Sequence, residues 1–178
     1  YNDQFYGTVT LRRALEKSLN SATARVAREV GIRRIRDLAH RLGIQSSLPA
    51  VPSLALGAAE VTPLEVAVAF STLANNGVRT RPLTVKQVLD PDARVLEKRD
   101  VRVEKVISAQ MAFLINHLLK GVFDRGTADS ARRAGFTRPA AGKTGTTNDY
   151  KDAWFVGYTP DLLTVVWVGF DNQSKLGL

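Results

Sequence analysis

The chain contains no cysteine. That excludes thiol nucleophiles, disulfide staples and thiolate metal sites, and it leaves the compartment open, because extracytoplasmic and cytosolic proteins are equally compatible with it. There are two histidines, His40 and His117, isolated from one another and without a carboxylate–histidine pattern around them, so no metal site is suggested. His40 lies among arginines and is expected to be exposed, and His117 reads as a helix-surface residue near a C-terminus. No apolar run approaches the ~18 residues of a membrane span. The opening residues 1–5 do not resemble a signal peptide, and they read as a point inside a longer chain.

What is present is the composition of a soluble globular protein: 178 residues, 44% hydrophobic and 24% charged, enough for one domain or a large part of a bigger one. The net charge of +8 would draw it towards polyanions such as nucleic acid, anionic lipid or acidic wall polymers, without choosing among them. Arginines in residues 12–41 and 125–138 supply much of that charge.

Along the chain, Leu11, Ala14, Leu15 and Leu19 recur at near-helical spacing within residues 10–20, and Ser18-Leu19-Asn20-Ser21 offers small polar groups that cap a following helix. Helices are expected over about 22–30, ended by Gly31, and from 32 or 33 to 42, closed by Gly43. Residues 44–59 read as loop. Thr62-Pro63-Leu64-Glu65 is the clearest helix start, with a cap, a proline at the first helical position and a glutamate three places after the cap. The helix that follows is apolar on nearly every side, which predicts burial, and breaks at Asn75-Asn76-Gly77. Residues 83–100 read as a β hairpin turning at Asp90-Pro91-Asp92-Ala93, and a helix is expected over about 105–120 with Gly121 beyond it. Trp154, Val156 and Tyr158 alternate, then Leu163, Val165 and Trp167, around a turn at Thr159-Pro160-Asp161: two antiparallel strands. Helices first and strands last predict an α+β fold.

Residues 141–147 carry a lysine, small hydroxyl side chains and bare glycine backbone. As a phosphate-binding loop Gly142-Lys143-Thr144 fails, because Thr137 stands where the loop's first glycine belongs and the residues after it are poor helix formers. A better account is a strand beside 152–158, joined by a turn at Asn148-Asp149-Tyr150. Lys143 and Gly145 then face one way and Thr144 and Thr146 the other, with Gly145 leaving the backbone approachable. The structural alternative is an edge strand guarded by its lysine. Ser18 and Asn20 are ordinary helix caps unless they face that strand, in which case the hydroxyl shuttles a proton and the carboxamide orients an amide. The basic segment 25–43, with Arg33, Arg34, Arg36 and Arg41, has helix-turn-helix spacing but no second nucleic-acid feature, and reads as a solvated helical face. Trp154 and Trp167 read as sheet packing, and Asp149 and Asp152 as turn or salt-bridge groups.

Together these segments resemble the transpeptidase domain of class A (bifunctional) penicillin-binding proteins. The likeness runs colinearly through Ser18-Leu19-Asn20, residues 53–57, Val61-Thr62-Pro63-Leu64-Glu65, Ala74-Asn75-Asn76-Gly77, Arg125-Gly126-Thr127-Ala128, residues 142–149, residues 152–160 and residues 167–172. The resemblance implies a penicillin-binding-protein/serine β-lactamase-like fold, an antiparallel sheet flanked by helices plus a helical subdomain. This chain would be a fragment of it: a mostly helical portion (1–80) with the Ser-x-Asn motif, a small hairpin and connection (81–104), and a helix with C-terminal strands (105–178) carrying Lys-Thr-Gly-Thr. By the same likeness Ser18, Asn20 and Lys143 belong to the catalytic group. The resemblance further implies that Thr144 and Thr146 bind the substrate's terminal carboxylate, that Gly145 lets the substrate lie along the strand, and that the Thr146 backbone N–H forms half of an oxyanion hole.

The family's third element, a Ser-x-x-Lys nucleophile motif, is absent: none of the nine serines is followed three places later by lysine. The chain is therefore expected to be a piece of a parent that holds that motif elsewhere or in a separate chain, to fold poorly and be inactive alone, and to stop short of the family's C-terminus. The parent is expected to be a peptidoglycan D,D-transpeptidase and β-lactam target without cofactor, acting on stem peptides. It would be anchored at the extracytoplasmic face of the bacterial membrane through a part outside this chain, and attached to a glycosyltransferase domain. The competing expectation is a noncatalytic wall-peptide-binding or scaffolding relative whose parent also lacks the motif.

Overall fold

The computed structural model describes residues 6–147, 150–172 and 174–177. In chain order the elements are α1 (Leu11–Glu16), α2 (Asn20–Val30), α3 (Ile32–Leu42), a 3-10 turn (Pro52–Leu56), α4 (Pro63–Ala74), β1 (Val78–Thr80), β2 (Gln87–Leu89), β3 (Val95–Lys98), β4 (Val103–Lys105), α5 (Ala109–Asp124), α6 (Asp129–Arg133), β5 (Ala141–Thr146), β6 (Asp152–Tyr158) and β7 (Leu163–Gly169). The helices-then-strands order expected from the sequence is present. The main sheet is antiparallel in the order β5-β6-β7, so β5 is an edge. Two small antiparallel pairs stand apart from it, β1 with β4 and β2 with β3. The second pair is the hairpin expected at 83–100, with Leu83 and Val85 outside its strands.

The core lies where α5 meets β5 and β6. Leu119, Val122 and Phe123 of α5 pack with Ala128, Ala140, Ala141 and Tyr158, and Leu15, Phe70 and Leu73 close over them from α1 and α4. Phe123 meets Phe155 edge-on at 5.8 Å between ring centres, a geometry that favours aromatic contact beyond area alone. One polar group is threaded through this apolar layer. The Tyr158 hydroxyl donates to Asn116 Oδ1 at 2.6 Å, and Asn116 Nδ2 donates to the Leu73 carbonyl at 2.9 Å, tying β6, α5 and α4 together. Burial pushes the Tyr158 hydroxyl pKa well up, so it remains a donor across the physiological range.

Three expectations need correction. The helix expected over about 105–120 starts at Ala109, capped by the Ser108 hydroxyl on the Met111 N–H at 3.2 Å, because Val103–Lys105 pairs with β1 instead. It also runs through Gly121, which sits inside the helix because a Cβ there would overlap the Glu16 carboxylate. Ser18 and Asn20 do not cap: Leu19 takes the N-cap position of α2, without a side-chain bond, and the helix begins at Asn20 rather than near Ala22. Finally α4, expected to be buried, is mostly half-buried with only Thr72 fully enclosed; one side lines an open apolar groove with Thr80, Pro82 and Leu163.

The start of α4 is as the sequence implied, with a full capping box between Thr62 and Glu65. Its glutamate does more than cap. The Glu65 carboxylate also accepts from the Gln45 and Ser46 N–H groups, each at 2.6 Å, and from the Ser46 hydroxyl at 2.8 Å, fastening the loop after α3 to α4. These bonds, the Thr62 N–H first among them, lower its pKa from 4.5 to about 2. A carboxylate held below its unfolded value contributes stability above pH 4.5 that is lost as pH falls from there through about 2. In the full-length protein Glu65→Gln is expected to lower domain stability by about 1–2 kcal/mol at pH 7, discounting for solvent access. Thermal melts across pH should show the gap to wild type closing in acid; a constant gap would refute the assignment.

Candidate functional site

Helix α1 ends in a turn that aims a serine. The Ser18 N–H donates to Leu15 O at 3.2 Å and the Leu19 N–H to Ala14 O at 2.8 Å. This is the paired closure of a helix C-terminus that places a left-handed residue just past the cap. Glycine is the usual occupant, yet here it is Ser18, at φ 52°. A non-glycine residue held left-handed costs about 1 kcal/mol or more and persists only where its surroundings impose it. The strain is at the residue whose side chain points at the sheet.

The surroundings that impose it begin at Glu16, one of the two buried polar or charged residues among the described ones. Its carboxylate pairs with the Arg125 guanidinium through both nitrogens of the arginine fork. The pair raises the Arg125 pKa further, through the bond to Glu16 first. The Glu16 carbonyl accepts the Thr127 N–H at 3.1 Å. Gly121 and Gly126 lack side chains where Glu16 comes through: a Cβ on the first would strike its carboxylate and one on the second its carbonyl.

Opposite the turn runs β5. The Thr147 N–H donates to Asp152 O at 3.1 Å, so Gly145 and Lys143 share the hydrogen-bonded register with β6. In an antiparallel ladder the N–H groups of Thr144 and Thr146 must then point out of the free edge. Along this edge the Lys143 ammonium donates to Ser18 Oγ at 2.9 Å and to Thr144 O at 2.7 Å. Residues 125 positions apart in sequence meet here. Burial lowers the Lys143 pKa from its ordinary 10.5. The Thr144 hydroxyl meets the Thr127 hydroxyl at 2.6 Å.

The remaining expected residues fall around this contact. Asn20 opens α2, exposed, with no carboxamide bond to another described residue. Gly145 faces Trp154, where an added Cβ would come to 3.3 Å of the Trp154 Cβ. Thr146 ends β5 with its side chain exposed. Asn148 and Asp149 of the expected turn lie outside the described residues. Asp152 takes its expected turn role, accepting from Trp167 Nε1 at 2.9 Å and donating its N–H to the Thr147 hydroxyl at 2.8 Å. Trp154 and Trp167 pack on each other across the β6–β7 ladder. His40 and His117 are both exposed. Among the described residues no cluster of three or more His, Asp or Glu side chains is placed to hold a metal ion. On α3, Arg33 and Arg34 are exposed, while Arg36 pairs with Asp37 and Arg41 reaches the Val106 carbonyl.

Comparison with known proteins covers nearly the whole chain. The family described as "Penicillin binding protein transpeptidase domain" matches residues 1–175. The chain belongs to that family. Penicillin-binding protein 1A of Aquifex aeolicus is 39% identical over 99% of this chain and 24% of its own length. That of Neisseria meningitidis serogroup A is 39% identical over 98% of this chain and 22% of its own. The chain thus spans about a quarter of the length of these curated relatives. The crystal structure of penicillin-binding protein 1A from Haemophilus influenzae superposes with a TM-score of 0.90 at 28% identity, covering 98% of this chain and 32% of that one. PonA1 from Mycobacterium tuberculosis, in complex with penicillin V, superposes with a TM-score of 0.82 at 27% identity, covering 97% and 50%. The fold is therefore the α+β penicillin-binding-protein type, with its antiparallel sheet flanked by helices, and the transpeptidase domain is of the class A kind.

In this transpeptidase domain the Ser-x-Asn and Lys-Thr-Gly segments stand together, and three further residues join them: Glu16, Arg125 and Thr127. The sequence held a signal for two of these in the Arg125-Gly126-Thr127-Ala128 segment; Glu16 is one charge among many on α1. Lys143 supplies a further test. Its folded pKa lies below its unfolded one, so folding disfavours its charge, and stability rises as pH climbs towards 10.5. Lys143→Met is accordingly expected to leave the thermal midpoint of the full-length protein unchanged or raised at pH 7, with any gain shrinking towards pH 10.5. A clear loss at pH 7 would show that the ammonium is a structural staple.

Proposed function

We propose that this chain contributes the Ser-x-Asn and Lys-Thr-Gly walls of a peptidoglycan D,D-transpeptidase site, with the nucleophilic serine and its lysine supplied by a part of the parent outside these 178 residues. The observation that carries the reading is the 2.9 Å bond from the Lys143 ammonium to Ser18 Oγ at the free edge of β5. An ammonium has only donors, so Ser18 Oγ accepts this bond and keeps its own hydrogen free to pass to a leaving nitrogen. The partly desolvated positive charge beside it favours anionic ligands.

In the reaction the nucleophilic serine oxygen attacks the carbonyl carbon of the penultimate D-alanine of a stem peptide. The bond to terminal D-alanine breaks, and the serine proton, relayed through Ser18, ends on the departing amine. An amine of a neighbouring stem peptide then attacks the acyl ester, the serine–acyl bond breaks and the serine recovers a proton. A β-lactam follows the first step with ring opening in place of departure. Asn20, whose carboxamide bonds no other described residue, orients the substrate peptide group. The Thr144 and Thr146 side chains bind the terminal carboxylate beside Gly145, and the outward Thr146 N–H stabilises the oxyanion, a donor of a kind worth roughly 3–4 kcal/mol. On this reading the parent works at the extracytoplasmic face of the bacterial membrane. It is anchored and joined to a glycosyltransferase through parts outside this chain; among the described residues no helix is long and apolar enough to cross a membrane.

Labelled penicillin added to the full-length protein is expected to form a covalent adduct, slowed roughly a hundred-fold or more by Lys143→Ala. Reversible binding of stem peptide without any adduct would instead identify a noncatalytic wall-peptide-binding relative, and acylation unchanged in Lys143→Ala would remove the lysine from the mechanism.

A further inference from the structure

Thr127 lies outside the Ser-x-Asn and Lys-Thr-Gly motifs, yet it closes a circuit around the site. Its N–H is held by the Glu16 carbonyl at 3.1 Å, two residues before Ser18. Its hydroxyl lies 2.6 Å from that of Thr144. Lys143, next to Thr144, returns to Ser18 at 2.9 Å. The loop carrying Thr127 has little freedom, since Arg125 is locked on the Glu16 carboxylate and Gly126 is pressed against the Glu16 carbonyl and the Val122 backbone.

Two hydroxyls in contact have two hydrogens, and only one lies between them. Which residue donates decides which hydrogen remains available. The Lys143 ammonium rests on the Thr144 backbone carbonyl as well as on Ser18 Oγ, so it adds positive potential beside Thr144, and an anion bound by the Thr144 hydroxyl needs its hydrogen directed outward. That orientation requires Thr127 to be the donor in the pair, and a hydroxyl that accepts one such bond becomes a stronger donor in its next. We propose that Thr127 is a positioning residue for carboxylate recognition: it donates to Thr144 Oγ1 and so turns the Thr144 hydrogen towards the carboxylate of the substrate or β-lactam. The inference rests on the transpeptidase reading above and adds a specificity role that the two motifs do not contain.

The test compares benzylpenicillin, which bears a free carboxylate, with its methyl ester, which does not, by competition against a fluorescent penicillin on the full-length protein. Thr127→Val is expected to slow acylation by the acid roughly ten-fold, through weaker binding rather than a slower chemical step, as expected for a lost bond to a charged group. Acylation by the ester should stay within about two-fold, and Thr127→Ser should restore the wild-type acid-to-ester ratio. Equal losses for acid and ester, or no loss for the acid, would overturn the role of Thr127 while leaving the transpeptidase reading intact. Failure of wild type to be acylated at all would sink both. Melting temperatures establish that each variant is folded; should the valine variant not fold, the acid-to-ester ratio of Thr127→Ala decides the matter on the same criteria.

Discussion

A single buried carboxylate organises the site. Glu16 leaves α1 directly into the packing of α5, where two glycines make room for it and Arg125 neutralises it. Burying a carboxylate is costly unless it is paired, and here the pairing comes from an arginine whose other side stays open to solvent. The pairing fixes the distance between α1 and the loop after α5. Because Ser18 follows two residues later and Thr127 two residues after Arg125, fixing that distance also fixes both hydroxyls relative to β5.

The sheet supplies the second half. Lys143 and Thr144 are adjacent, so their side chains leave β5 in different directions and reach different partners, Ser18 and Thr127. The helical turn and the loop after α5 are thereby each joined to the strand edge through a side chain. On the transpeptidase reading proposed above, the carboxylate-binding and proton-transfer groups lie side by side, along an edge where no described strand pairs with the backbone N–H groups of Thr144 and Thr146. A rigid frame behind unpaired donors is the arrangement electrostatic catalysis requires, because the donors need not reorganise as charge develops.

Much of this was legible in the residues. The capping box at Thr62–Glu65, the antiparallel strands around Thr159-Pro160-Asp161 and the order of helices and strands follow from local chemistry that tertiary packing did not override. The segment with Lys143 stood out by its lysine, hydroxyls and bare glycine, whereas Ser18 and Asn20 gained meaning only from the colinear family resemblance. What was not legible depended on long-range contact. Gly121 looked like a helix end because a glycine after an apolar run normally is one, and only the arrival of Glu16 from 105 positions away makes it interior. Ser18 and Asn20 looked like caps for the same reason, and α4 looked buried because sequence reports apolarity, not which neighbours cover it.

Position 18 shows how firmly chemistry can hold a chain to a suboptimal residue. Glycine there would relax the left-handed backbone, a gain of about 1 kcal/mol, and erase the hydroxyl that Lys143 meets. Alanine would keep the strain and lose the hydroxyl as well, and threonine would add a branched carbon to a conformation that already resists a side chain. None of these three replacements improves both the local fold and the oxygen's position. A gain in stability at this turn is therefore to be sought in the residues that hold it, not at position 18 itself.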